Sequence, residues 1–104
     1  MSKRLAYLEK VTSDGSTDPF AWYGLANEYK SLGRHEDALR TFTTLRGRTP
    51  DYVPMYLMCG QMLAELGRKA EARDWLEAGV VAARAKRDTH ALGEMEAALE
   101  GLTS

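Results

Sequence analysis

His35, His90 and Cys59 are the side chains that could bind a metal or act as base or nucleophile, and their surroundings argue against both uses. The two histidines stand alone, without the paired spacing that a metal site needs. His35 adjoins Glu36 and Asp37 at the start of a predicted helix, where acidic side chains favour the dipole, so it reads as a solvent-facing turn residue. No residue beside Cys59 would stabilise a thiolate, and no histidine pairs with it along the chain. A phosphate-cradling glycine loop and a nucleophile elbow are both missing. The expectation is therefore no catalytic residues, no metal and no cofactor. Arg46, Arg48, Arg84, Lys86 and Arg87 lie near the C-terminal ends of predicted helices, where cations are favoured for structural reasons. The other reading of these five is a basic docking patch for an acidic partner.

Composition narrows the class further. A chain of 104 residues is expected to form one domain, and 44% hydrophobic with 28% charged residues is a globular balance. Net charge is −1, with eight basic and seven acidic side chains in the first 52 residues and six and eight in the rest. Nucleic-acid binding usually leaves a basic stripe, so this interspersion argues against it. One cysteine cannot form an internal disulfide. No stretch reaches membrane-spanning length, and the opening apolar run breaks at Glu9 and Lys10, unlike a signal peptide. Cytoplasm is the expected compartment.

The elements that would position any binding residues follow from periodicity. Leu5, Leu8 and Val11 form one stripe of a predicted helix over 3–12. After the turn residues 13–17, Thr17 or Asp18 caps a helix that starts at Pro19 and runs to about Ser31. Leu32-Gly33-Arg34 turns the chain into a second helix ending near Arg46. Asp51 is expected to cap a helix reaching Glu65, Gly67 to turn it, and a further helix to span about 69–84. Beyond a charged hinge at 86–88, the last helix covers about 89–102, with Leu92, Met95, Leu99 and Leu102 on one side and Glu94, Glu96 and Glu100 on the other.

The chain also repeats. An offset of 34 residues lays Trp22 on Tyr56, Leu25 on Cys59, Ala26 on Gly60 and Tyr29 on Leu63. It lays 32–34 on the identical Leu66-Gly67-Arg68, Ala38 on Ala72 and Phe42 on Leu76. Such a period marks supersecondary units that bury their apolar faces by stacking. Trp22, Leu25, Tyr29, Gly33, Ala38, Phe42 and Pro50 resemble the signature of the tetratricopeptide repeat family. The second repeat is more degenerate, with Cys59 for Leu and Arg84 for the final Pro. The 35-residue repeats that read RNA differ in signature positions and are basic.

The resemblance implies an all-α, right-handed α-solenoid of antiparallel helix pairs. It places an N-terminal half repeat at 3–12, repeats at 19–52 and 53–86, and a capping helix at 88–102. Trp22, Ala26 and Tyr29, like Tyr56, Gly60 and Leu63, are assigned to the contact with the second helix of their own unit. Met55, Cys59, Met62 and Leu66 are assigned to packing against the preceding repeat; Met58 is left open. The resemblance also implies a protein–protein interaction module with a concave groove, lined by Phe20, Tyr23, Asn27, Lys30 and Ser31 and by Pro54, Leu57, Gln61, Ala64 and Glu65. Phe20, Tyr23 and Leu57 would supply apolar area, and Asn27 and Gln61 would pair with the main chain of a bound peptide or helix. With Lys30 these are the candidate partner-binding residues. The clamp that some members use for chaperone tails is not expected, because only Asn27 matches it. The competing reading is a homodimer that fills the groove or a flank with itself.

Overall fold

Pro19 and Pro54, which lack an N–H, each sit in the first turn of a helix, where none is needed. In the computed structural model, which describes residues 2–103, the described residues form six α-helices and no strand. They are α1 (Lys3–Ser13), α2 (Pro19–Ser31), α3 (His35–Arg48), α4 (Val53–Glu65), α5 (Lys69–Lys86) and α6 (Thr89–Leu102). This is an all-α helical-repeat fold. The chain forms two compact units, Met1–Thr49 and Pro50–Ser104.

In the first unit α2 packs on both α1 and α3. Asp18 caps α2 by accepting a hydrogen bond from the Phe20 N–H at 3.0 Å. Gly33 ends the helix at φ +76°, and the Arg34 N–H returns to the Tyr29 carbonyl at 2.9 Å. Arg34 then donates to Asp37 in the first turn of α3 at 2.8 Å. That bond chiefly, with a second from Arg40, holds the Asp37 carboxyl below its ordinary value. Ala26 and Ala38 are fully buried, as are Phe42 and Leu45, while Leu5, Leu8 and Leu25 form a cluster against which Tyr29 packs. Two polar straps join α1 to α2. Glu28 accepts from Ser2 Oγ at 2.8 Å and pairs with Arg4 at 3.4 Å, and the Tyr29 hydroxyl donates to Glu9 at 2.6 Å.

The second unit reproduces the turn: Gly67 at φ +77°, Arg68 N–H to the Leu63 carbonyl at 2.9 Å, and Arg68 to Glu71 at 2.9 Å. Its core holds Tyr56, Leu63, Ala72, Trp75, Leu76 and Met95. Here two helix crossings are too close for an extra carbon. A Cβ on Gly60 would lie 2.6 Å from Leu76 Cγ, and one on Gly79 would lie 2.5 Å from the Met95 sulfur and 2.6 Å from Tyr56 Cβ. Gly79 thus lets α5 meet both α4 and α6.

Three expectations are corrected. Trp22 and Tyr29, assigned with Ala26 to the inner contact of their unit, are only half-buried. Each has a polar tip that needs a partner: the indole N–H donates to the Ser16 carbonyl at 2.8 Å, and the Tyr29 hydroxyl goes to Glu9. Their rings are covered by guanidinium groups, Arg48 over Trp22 and Arg34 over Tyr29, each 4.6 Å from the centroid. Asp51 does not cap α4. The helix begins at Val53 with Tyr52 at the cap position and no side-chain cap, and Pro54 removes one of the N–H groups such a cap would use. Asp51 instead pairs with Lys86 at 3.1 Å. Lastly, Leu66, grouped with the buried Met55, Cys59 and Met62, is exposed.

The same substitution should act with opposite sign at two glycines. Alanine is favoured over glycine inside a helix by roughly 1 kcal/mol, whereas overpacking a close crossing costs about 1–3 kcal/mol. A methyl group on Gly93 would have nothing within 4 Å, so Gly93→Ala should raise the thermal midpoint and Gly79→Ala should lower it. Matching shifts in circular dichroism melts would contradict this packing.

Burial, and then the hydrogen bond to Glu9, pushes the Tyr29 phenol up to about 12 from an ordinary 10.0. Because the folded value lies above the unfolded one, the associated stability is complete below pH 10 and is lost as pH rises through about 12. In an alkaline absorbance titration of the folded protein, the transition that Tyr29→Phe removes should be a late one. Glu9→Gln should bring its midpoint partway back, with burial retaining the rest. A Tyr29 transition near 10 would contradict the strap.

Candidate functional site

Positions 20, 23, 27 and 30 follow the three- and four-residue spacing of one helix face, and α2 carries them as a stripe. Phe20, in the first turn, stands 65% exposed. Tyr23, Asn27 and Lys30 are half-buried behind it. Asn27 Oδ1 is buried without a hydrogen-bond partner. An orphaned acceptor of this kind costs about 1–3 kcal/mol, so such groups call for an explanation. Because the atom is buried, a donor from outside would reach it only after the amide turned about χ2, a soft torsion.

Phe20 also belongs to a cavity of about 310 Å³ between α1 and α2, lined among others by Arg4, Tyr7, Leu8, Val11 and Ala21. Tyr7, like Phe20, is 65% exposed, so two large rings stand at one mouth. The leucine stripe that marks α1 in the sequence does not include Tyr7. Its position two residues after Leu5 on a helix places it off that stripe, which is the signal the sequence offers.

In the second unit Leu57 is half-buried and Gln61 exposed on α4. Gln61 lines a depression of about 470 Å³ with Ala64, Glu65, Lys69 and Leu76, closed on the α6 side by Ala98 and Leu102. Leu57 does not line it. Of the further groove positions, Ser31 and Pro54 are exposed.

Residues with other conceivable roles are largely engaged inside their units. Cys59, Met55 and Met62 are buried and offer no adaptable surface stripe; Met58 is half-buried. Arg48 covers Trp22, Arg84 pairs with Glu96 at 3.6 Å and Lys86 with Asp51. His90 contacts Glu94 at 3.1 Å on the surface of α6. Among the described residues, no three His, Cys, Asp or Glu side chains converge on a metal position, and no helix is long and apolar enough to cross a membrane.

Comparison with known proteins agrees with this geometry. The tetratricopeptide repeat family model matches residues 23–88. The crystal structure of a tetratricopeptide repeat domain protein from Salinibacter ruber superposes with a TM-score of 0.76 at 31% identity, covering 83% of this chain and 96% of that one. The solution structure of a tetratricopeptide repeat domain protein from the same organism gives 0.76 at 32% identity, covering 82% and 86%. The solution structure of a Bordetella parapertussis protein shares the fold, with a TM-score of 0.83 at 23% identity over 99% of this chain and 90% of that one. No curated protein matches. With the family match spanning more than half of its length, and with the repeated helix–glycine–helix turns behind it, the chain belongs to the tetratricopeptide repeat family.

Proposed function

We propose that this protein is a non-catalytic adaptor or assembly factor that binds a peptide or helix of another protein through its first-helix faces. The family as a whole consists of protein–protein interaction modules, which supports the general class. The observation that carries the specific reading is the α2 stripe, where an exposed ring at Phe20 leads to an unpartnered acceptor at Asn27. Apolar anchors next to an amide suit an extended main chain, whose N–H groups would satisfy Asn27. Tyr23 and Lys30 flank that acceptor on α2. Leu57 and Gln61 are the corresponding contacts on α4. The near-neutral charge, −1 overall, favours a protein partner over nucleic acid. Cytoplasm is the proposed compartment, and a buried Cys59 thiol outside any disulfide fits reducing conditions.

The test is a calorimetric titration with a partner recovered by pull-down, run on Tyr23→Ala, Leu57→Ala and the double variant. Interface energy is concentrated in a few anchors, each costing about 2 kcal/mol or more on truncation. The double variant should therefore bind far more weakly, with helicity nearly unchanged because neither side chain is fully buried. Glu36→Ala, on the exposed start of α3, should alter neither. Normal binding by the double variant, with loss on substituting Arg46, Arg48 and Arg84, would move recognition to the basic residues and overturn the proposal.

A further inference from the structure

The offset of 34 residues that relates the repeats also reaches α1. Under it, positions 38, 41, 42 and 45 of α3 coincide with 72, 75, 76 and 79 of α5, and the residues at all of them are buried. In the second unit their cover comes from α4. Its Tyr56 ring lies 6.0 Å from that of Trp75, a Cβ on Gly60 would meet Leu76, and Tyr56 Cβ faces Gly79. One offset back from α3 the same positions are Arg4, Tyr7, Leu8 and Val11 of α1. These four form the α1 wall of the cavity of about 310 Å³, and Tyr7, the counterpart of the buried Trp75, is 65% exposed. Phe20, Ala21 and Gly24 of α2 belong to the facing wall. Among the described residues, α1 therefore has the packing face of a second helix with no first helix upon it.

The complete repeats indicate what fits there. Their covering helix carries a large aromatic residue and, four positions on, a small one: Trp22 and Ala26 on α2, Tyr56 and Gly60 on α4. Residues so spaced share one helix face. We infer that the cavity between α1 and α2 seats a helix of another protein, whose buried face carries an aromatic residue followed four positions later by a small one. By the geometry of α4 on α5, its ring packs on Tyr7 and Val11 and its small residue on Leu8. Covering the exposed Tyr7 and Phe20 rings supplies the apolar drive of a helix-in-groove contact. Arg4 departs from the pattern, standing where the complete repeats have Ala38 and Ala72. Its guanidinium pairs with Glu28 at 3.4 Å, so it calls for no charge on the incoming helix. A second copy does not supply such a helix. Its Trp22–Ala26 and Tyr56–Gly60 pairs are engaged inside their own units, and at the corresponding places α6 carries the exposed His90 and Glu94. The inference does not rest on partner binding at the α2 stripe, to which Tyr7, Leu8 and Val11 do not belong.

The probe is a labelled peptide of residues 17–34, which carries the Trp22–Ala26 pair, titrated against the full chain by fluorescence anisotropy. It should bind saturably, one peptide per chain. Tyr7→Ala in the protein and Trp22→Ala in the peptide should each weaken binding about tenfold or more, as loss of a central aromatic anchor does. Tyr7→Ala should leave the circular dichroism unchanged, because the ring is exposed. The same segment placed directly ahead of Met1 keeps the 34-residue offset and makes the contact intramolecular. It should raise the thermal midpoint, and Trp22→Ala in the added copy should cancel most of the rise. No binding in trans together with no rise in cis would overturn the inference. Binding that survives Tyr7→Ala but falls with Tyr23→Ala would place the peptide on the α2 stripe and overturn it equally. Self-association of the chain alone, abolished by Tyr7→Ala, would put a second copy in the cavity and also overturn it.

Discussion

The second unit depends on two places where a side chain is absent. At Gly60 and Gly79 the facing atoms stand 2.5–2.6 Å from where a Cβ would be, closer than real carbon contacts. Those crossings let Leu76, Tyr56 and Met95 fill the space between helices. Close-packed interiors gain dispersion energy only when such gaps are filled, and a few tenths of an ångström decide the matter. Met95 suits the role at Gly79, because an unbranched thioether adapts to an irregular gap. In the first unit Ala26 and Ala38 are the buried small residues.

Around these cores the helices are tied by polar groups at their edges. The turn through Gly33 and Gly67 recurs with the same main-chain return and the same arginine-to-carboxylate bond, so each helix pair is closed by one device used twice. In the first unit the Tyr29 hydroxyl and the Glu28 carboxylate add links to α1. Arginines over Trp22 and Tyr29 shield rings that burial alone leaves half-covered. The stripe of Phe20, Tyr23, Asn27 and Lys30 on α2, proposed above as the partner-binding face, lies outside the fully buried core. On that proposal, a preformed helix face would bind a peptide at small entropic cost, since little order has to be created on binding.

Much of this is legible in the amino-acid sequence. The offset of 34 residues locates the turn glycines, and Pro19, with Thr17 or Asp18 before it as the cap, marks the start of α2. Small residues at 26, 38, 60 and 72 announce the close faces. Less is legible where a residue's environment depends on tertiary neighbours. Trp22 and Tyr29 match a buried signature, yet their polar tips draw them to the edge, and spacing does not encode that competition. Gly79 is hidden by the repeat frame, in which it falls on Leu45, although a glycine inside a helix is itself a cue for close approach. Asp51 has the residue type of a cap, but capping needs N–H groups in reach, and the one-residue later start of α4 takes them away. Among the candidate site residues, the α2 stripe follows from the family resemblance taken together with helical spacing. The pairing of Phe20 with Tyr7 depends on how α1 lies on α2, which no local pattern encodes.

The claim that helix pairs are set by missing side chains is tested most directly by a double-mutant cycle at Gly60 and Leu76, read from urea unfolding. Gly60→Ala alone should destabilise by about 1–3 kcal/mol, because the added methyl meets Leu76. With Leu76→Ala already in place the methyl enters vacated space, so Gly60→Ala should become neutral or stabilising, a coupling of order 1 kcal/mol or more. Equal costs of Gly60→Ala in the two backgrounds would mean that the two positions do not press on each other, and would contradict the account.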